Sequence, residues 1–293
     1  MKNKKVNNVR VRIDGDAEEV LVSHEHLNEC IEYINFHRIT KIVVMDWYYE
    51  GENVEFLNEC PSVEEVVLDS NYLKDISGLR YLKSLKGLSL SETTVIDGGI
   101  EVDLEAFSEL ESLLLCWSKK IRGLHHLTNL KGLLLEKYAP KQGDLEELAT
   151  LEKLEELTIT QSKVRSLQGI GKLNQLKELE LNYLRTLTSL GDIEGLGSSL
   201  KKLDITSCKN IQDLLRIRAL HSLEFLFLVK CGEVPSLEFI EPLTNLKHFV
   251  FPETNVLDGD ITPCFHVDYV YFDSKKHYSH KWTEFKNWTS RVK

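Results

Sequence analysis

Residues 63–68 read VEEVVL, residues 85–90 read LKGLSL and residues 154–159 read LEELTI. In each, the first, fourth and sixth positions are apolar. The same frame fits eleven segments, starting at Ile39, Val63, Leu85, Leu110, Leu130, Leu154, Leu176, Leu200, Leu223, Leu246 and Val267, with successive starts 20 to 25 residues apart. These registers are chosen to make the frame apolar, so the columns upstream provide the independent check. Three residues before each start the column runs from Phe36, Cys60 and Leu82 to Leu243 and Cys264; six residues before, it runs from Tyr33, Leu57 and Leu79 to Ile240 and Ile261. Both columns are apolar throughout, and only the copy at Leu200 slips by one residue, to Leu196 and Ile193. The chain is an array of about eleven repeats.

Two periods coexist in each unit. The alternating half of the frame makes a short strand with one buried face. The upstream spacing of three suits a tight 3₁₀ turn, in which residues three apart share a face. One such unit cannot bury both faces alone, so the units must stack, strands forming a parallel sheet on one side and turns lying on the other. The expected class is α/β, a solenoid with a parallel concave sheet and convex 3₁₀ turns or short helices. Small polar residues recur just after the strands, at Asn71, Thr93, Ser118, Ser162, Cys208, Cys231 and Thr254, where they are expected to bond backbone groups as the chain leaves the sheet.

LRYLKSLKGLSLSETTV (79–95) and LEFIEPLTNLKHFVFPETNV (237–256) resemble the short leucine-rich repeats of bacterial internalins and of the phosphatase-regulator type. SCKNIQDLLRI (207–217) leans toward the cysteine-containing variety. The resemblance covers about residues 39–272. It implies a curved solenoid whose concave face binds another macromolecule, usually a protein. Two features depart from the pattern: internalins are exported while this sequence shows no export signal, and few copies keep the usual asparagine after the strand.

Frame positions three, five and seven are expected to point away from the core. They place Leu114, Leu134, Glu156, Glu178, Glu180, Asp204, Phe225, Phe227, His248, Tyr269 and Tyr271 on the concave face, with Trp117 and Tyr183 at its rim. Acids that merely keep a sheet soluble, and rings that merely cover backbone, would look the same. The cluster of Phe225, Phe227, Tyr269 and Tyr271 favours a protein-binding surface with aromatic anchors and with acids suited to a basic partner.

Residues 1–38 differ in kind. VRVRI (9–13) and EEVLV (18–22) predict strands, and Ser23 is the expected cap of a helix with Leu27, Ile31 and Ile34 on one side. They read as an N-terminal cap, residues 39–272 as the solenoid, and residues 273–293 as a basic C-terminal cap in which Tyr278, Trp282, Phe285 and Trp288 cover the last unit. Residues 95–103 and 137–144 are insertions placed after strands, read equally as ligand-touching projections or as length variation.

Charge and motifs remove most other functions. The formal charge of −10 argues against nucleic acid and anionic membranes. No apolar run approaches a membrane span. The N-terminus has no apolar core of a signal peptide, so the six cysteines are expected to be reduced thiols in a cytoplasmic protein. GIGK (169–172) lacks the first glycine of a P-loop and is followed by Leu173. The two Asp-Gly-Asp stretches lack the further ligands of a calcium loop. Cys116 is expected on the concave side with no base beside it. Asn287-Trp-Thr is a glycosylation sequon only in an exported protein. His277 and His280 supply two metal ligands, which His266 or Asp268 would have to complete. The reading is a non-enzymatic, monomeric protein-binding module, an adaptor or an inhibitor of the immunity type, with no cofactor. The alternative is a metal-supported or catalytic protein using the His-rich C-terminus.

Overall fold

The computed structural model describes residues 2–15 and 17–285; Asn287 and Trp288, and with them the sequon and part of the expected cap, lie outside the described residues. The chain forms two compact units, 1–133 and 134–293. Both are built from one device. The carbonyl of the residue six before a strand frame accepts from the amide three residues on, as in Leu82 N to Leu79 O (3.0 Å), Leu173 N to Ile170 O (3.0 Å) and Leu243 N to Ile240 O (3.0 Å). This is the 3₁₀ bond that the spacing of three predicts. The frame residues themselves are all buried, none more than 5% exposed.

The first unit begins with β1 (Lys2–Val6), β2 (Val9–Asp14) and β3 (Ala17–Leu21), which pair antiparallel in that order. Helix α1 (Leu27–His37) follows, and then come the parallel strands β4 (Lys41–Met45), β5 (Glu65–Asp69), β6 (Gly87–Leu90) and β7 (Ser112–Cys116), with β4 beside β3. Strand β8 (Gly132–Glu136) straddles the boundary. The second unit continues with parallel strands β9 (Glu156–Thr160), β10 (Glu178–Asn182), β11 (Lys202–Thr206), β12 (Phe225–Val229), β13 (His248–Val250) and β14 (Tyr269–Tyr271).

Several expectations need correction. The helix is capped by His26 and not by Ser23, and no side chain bonds the helix start, because a turn at residues 24–26 intervenes. The upstream columns of the first copy fall on α1. There a period of 3.6 buries Cys30, Ile31 and Ile34 and turns Phe36 outward, leaving it 84% exposed. Cys116 is buried and does not line the open face: it is the last residue of β7, where strand alternation stops governing which side is covered.

The polar column after the strands is present, with a shifted register in the first unit. There the buried pair is Ser70 and Thr94, with Ser70 N donating to Thr94 Oγ1 at 2.9 Å, while Asn71 is exposed. In the second unit the column keeps its expected residues. Ser162 Oγ donates to Tyr138 O (2.7 Å) and accepts from Val164 N (3.0 Å); Cys231 Sγ lies 3.0 Å from Ile205 O; Thr254 Oγ1 accepts from Cys231 N at 3.0 Å. Each of these side chains meets a backbone atom of the neighbouring repeat.

The turn of residues 169–172 is occupied by its own chain: Gly169 N and Gly171 N donate to Asp192 Oδ1 at 3.0 and 3.1 Å. Each insertion is anchored by buried residues, while Ile96, Lys141 and Gln142 stay exposed. Val95, Ile100 and Val102 are buried in the first and Tyr138 in the second, with Tyr138 Oη donating to Glu147 at 2.9 Å.

Candidate interaction surface

Parallel pairing in register stacks equivalent residues of successive repeats into columns on the open face of the second unit's sheet. One column runs Glu156, Glu178, Lys202, Phe225, His248, Tyr269, and the next runs Thr158, Glu180, Asp204, Phe227, Val250, Tyr271. The L-x-L frame forces this, because residues between the buried ones must face the other way. Most of these side chains are half-exposed; Glu156 and Tyr271 are exposed.

The acids stand at one end of the columns and the rings at the other. Within the acidic half the sequence reading missed Lys202, whose Nζ lies 2.5 Å from Glu180 and 3.4 Å from Glu178. Its ammonium is held above its ordinary pKa chiefly by the bond to Glu180. The signal was present in the register, since Lys202 occupies frame position three of the copy that starts at Leu200. Asp204 Oδ1 accepts from Thr206 Oγ1 at 2.8 Å, and burial holds its carboxyl above the usual range.

In the aromatic half, Phe225 and His248 stack with centroids 4.9 Å apart, and His248 and Tyr269 follow at 5.5 Å. Burial lowers the His248 pKa, with the Asp268 charge acting the other way. Trp282, from the C-terminal segment, sits edge-on to Tyr271 at 5.7 Å and extends the aromatic surface. Tyr183 lies at the edge, 51% exposed, with a left-handed backbone (φ 59°). Lys137, Gln161, Ser207, Lys230 and Glu253 share that conformation at the same repeat position. The strain at Tyr183 is thus a property of the repeat and marks no special role.

Leu134 stands on the same face in β8, half-exposed. Leu114 and Trp117, both half-exposed, belong to the first unit, where Leu114 pairs with Ser89 in the strand beside it. Val43, which the alternation also turns outward, is buried there at 3%.

The histidines do not gather. His277 Nε2 lies 2.9 Å from Val256 O and His266 Nδ1 lies 2.9 Å from Pro263 O; a carbonyl only accepts, so each of these nitrogens carries its proton. His280 packs edge-on against Phe265. Among the described residues, no three side chains of metal-ligating type converge.

Searched by sequence, the chain matches no family model and no curated protein. Compared in three dimensions, it is similar to the internalin inlF of Listeria monocytogenes, with a TM-score of 0.56 and 14% identity over 92% of this chain and 85% of that one. It also matches internalin C2 of the same organism (TM-score 0.37, 15% identity, 75% and 76% covered) and a leucine-rich repeat protein of Leptospira interrogans (0.39, 12%, 85% and 81%). The fold is that of an internalin-like leucine-rich repeat solenoid.

Proposed function

We propose that the chain is a non-enzymatic module that binds a protein partner on the open sheet face of its second unit. One observation carries this reading: a strip of rings, the half-exposed Phe225, Phe227 and Tyr269 and the exposed Tyr271, lies in strand register beside Glu178, Glu180 and Asp204. Rings of low conformational entropy supply anchoring area, and adjoining acids select a partner with a basic surface. Burial pushes the Cys60 and Cys231 thiols up to about 12, the opposite of what a nucleophile needs. The module is read as a monomeric cytoplasmic adaptor or inhibitor.

The test is affinity capture from native lysate with the wild type and with a Phe225→Ala, Phe227→Ala, Tyr271→Ala variant that is first shown to fold. A protein held by the wild type and lost by the variant supports the assignment. Equal retention of the same protein moves the site away from this face.

A further inference from the structure

Most groups on the open face of the second unit already satisfy one another. Lys202 neutralises Glu180 and reaches Glu178. Phe225, His248 and Tyr269 cover each other's ring faces, and Tyr271 meets Trp282. Glu156 is exposed to water. Two neighbours are left over. Asp204 is half-buried, takes a single hydroxyl bond from Thr206, and makes no ion pair among the described residues. Phe227 is half-exposed and has no ring packed on it among the described residues. The register sets them directly opposite each other on adjacent strands, about 5 Å apart.

We infer that Asp204 and Phe227 form a subsite for an arginine side chain of the protein partner, the guanidinium lying on the Phe227 ring and bonding the Asp204 carboxylate. This rests on the reading that the partner docks on this face. A partly desolvated carboxylate without an ion pair is unfavourable unless a partner supplies one. A planar guanidinium is suited to do so. It is more weakly hydrated than an ammonium, stacks on an aromatic face at van der Waals distance, and still points its N–H groups sideways to an acceptor one strand away. Asp204 has no ion pair of its own among the described residues: Lys202 is bonded to Glu180 and acts on Asp204 only as a Coulombic influence weaker than burial. Glu180, next to Asp204 in the same column, adds to the negative field without being available itself.

The experiment titrates the ¹⁵N-labelled full chain with N-acetyl-arginine amide, using the citrulline analogue as an uncharged isostere of the same shape. Amide shifts centred on Asp204 and Phe227 are expected with arginine in the millimolar range and about tenfold weaker binding with citrulline. Asp204→Asn, which keeps the side-chain shape, is expected to abolish the difference between the two probes. Phe227→Leu weakens arginine binding several-fold. Equal shifts with both probes overturn the subsite, as do shifts centred elsewhere, none into the tens of millimolar, or unchanged arginine binding by Asp204→Asn. The two levels separate by capture. If Asp204→Asn holds the partner as tightly as wild type while the triple aromatic variant loses it, the face stands and the arginine subsite falls. If both variants hold it, the docking face itself falls.

Discussion

The hydroxyl of Tyr278 accepts a hydrogen bond from Val256 N at 3.0 Å and donates to Thr254 O at 3.2 Å. A residue of the C-terminal segment thus takes over, for the last polar turn, the part that Ser162 and Thr254 play between earlier repeats. Its ring meets Phe272 edge-on at 5.7 Å. Tyr278→Phe keeps the ring and removes the hydroxyl, leaving the Val256 amide buried without that acceptor. We expect a loss of about 1–3 kcal/mol, seen as a lower urea midpoint with an unchanged slope. An unshifted midpoint would mean that water replaces the hydroxyl and that the segment contributes little there.

Gly191 sits at φ 59°, and a Cβ on it would come within 2.2 Å of Gln168 N. Both the left-handed backbone and the neighbouring turn exclude a side chain. Gly191→Ala is expected to cost about 2 kcal/mol or more. Gly132 is the internal control: it lies in a strand, and its nearest neighbour to an added Cβ is Ser112 Oγ at 3.9 Å. Gly132→Ala should leave stability unchanged or raise it by about 0.5 kcal/mol, since the glycine's extra freedom in the unfolded chain is lost. Thermal melts of the pair make the comparison.

All six cysteines are buried. Burial raises the Cys208 thiol to about 11 and Cys60 and Cys231 to about 12. The native protein at pH 8 should therefore release almost no chromophore with an aromatic disulfide reagent, and the urea-unfolded chain should titrate six thiols. A fast-reacting native thiol at Cys116 would restore the sequence expectation that this residue faces the open side.

Burial holds the folded Asp204 carboxyl above its ordinary pKa of about 3.9, so the folded state binds that proton more tightly than the unfolded chain. Its favourable contribution is complete below the unfolded value and is lost as the pH rises through the folded one. Asp204→Asn should accordingly melt higher than wild type at pH 7, with the difference vanishing near pH 3. A variant that melts lower at pH 7 would show that the ionised carboxylate is stabilised by a contact beyond Thr206.

Much of the fold was legible because a solenoid writes its packing locally. Each frame residue meets its counterpart one repeat away, so a period near 23 residues, read along the chain, is also a map of contacts in space. That is why Leu85, Leu176 and Val267 can be placed in the core with no knowledge of the rest, and why the outward columns follow from alternation alone. The candidate face was legible to the same degree in position and less so in charge. Glu178, Glu180 and Asp204 are visible as acids along the chain, whereas the Lys202 ammonium that lies between two of them is a matter of side-chain reach across strands.

The sequence by itself determined the repeat, the 3₁₀ turns, the buried strand face and the clustering of rings toward the C-terminal repeats. The tertiary structure decided what period alone leaves open. Helix α1 replaces the first turn and sends Phe36 into solvent; Ser70 and Thr94, one residue from Asn71 and Thr93, provide the buried bond; Cys116 is covered at the end of its strand. It also decided which surface groups are already satisfied, pairing Lys202 with Glu180 and stacking Phe225 on His248 while leaving Asp204 and Phe227 open. The physical reason is one of range. Burial along a repeat follows from backbone period, but satisfaction of a charge or a ring depends on rotamers and on neighbours 20 or more residues away, which no short window of sequence contains.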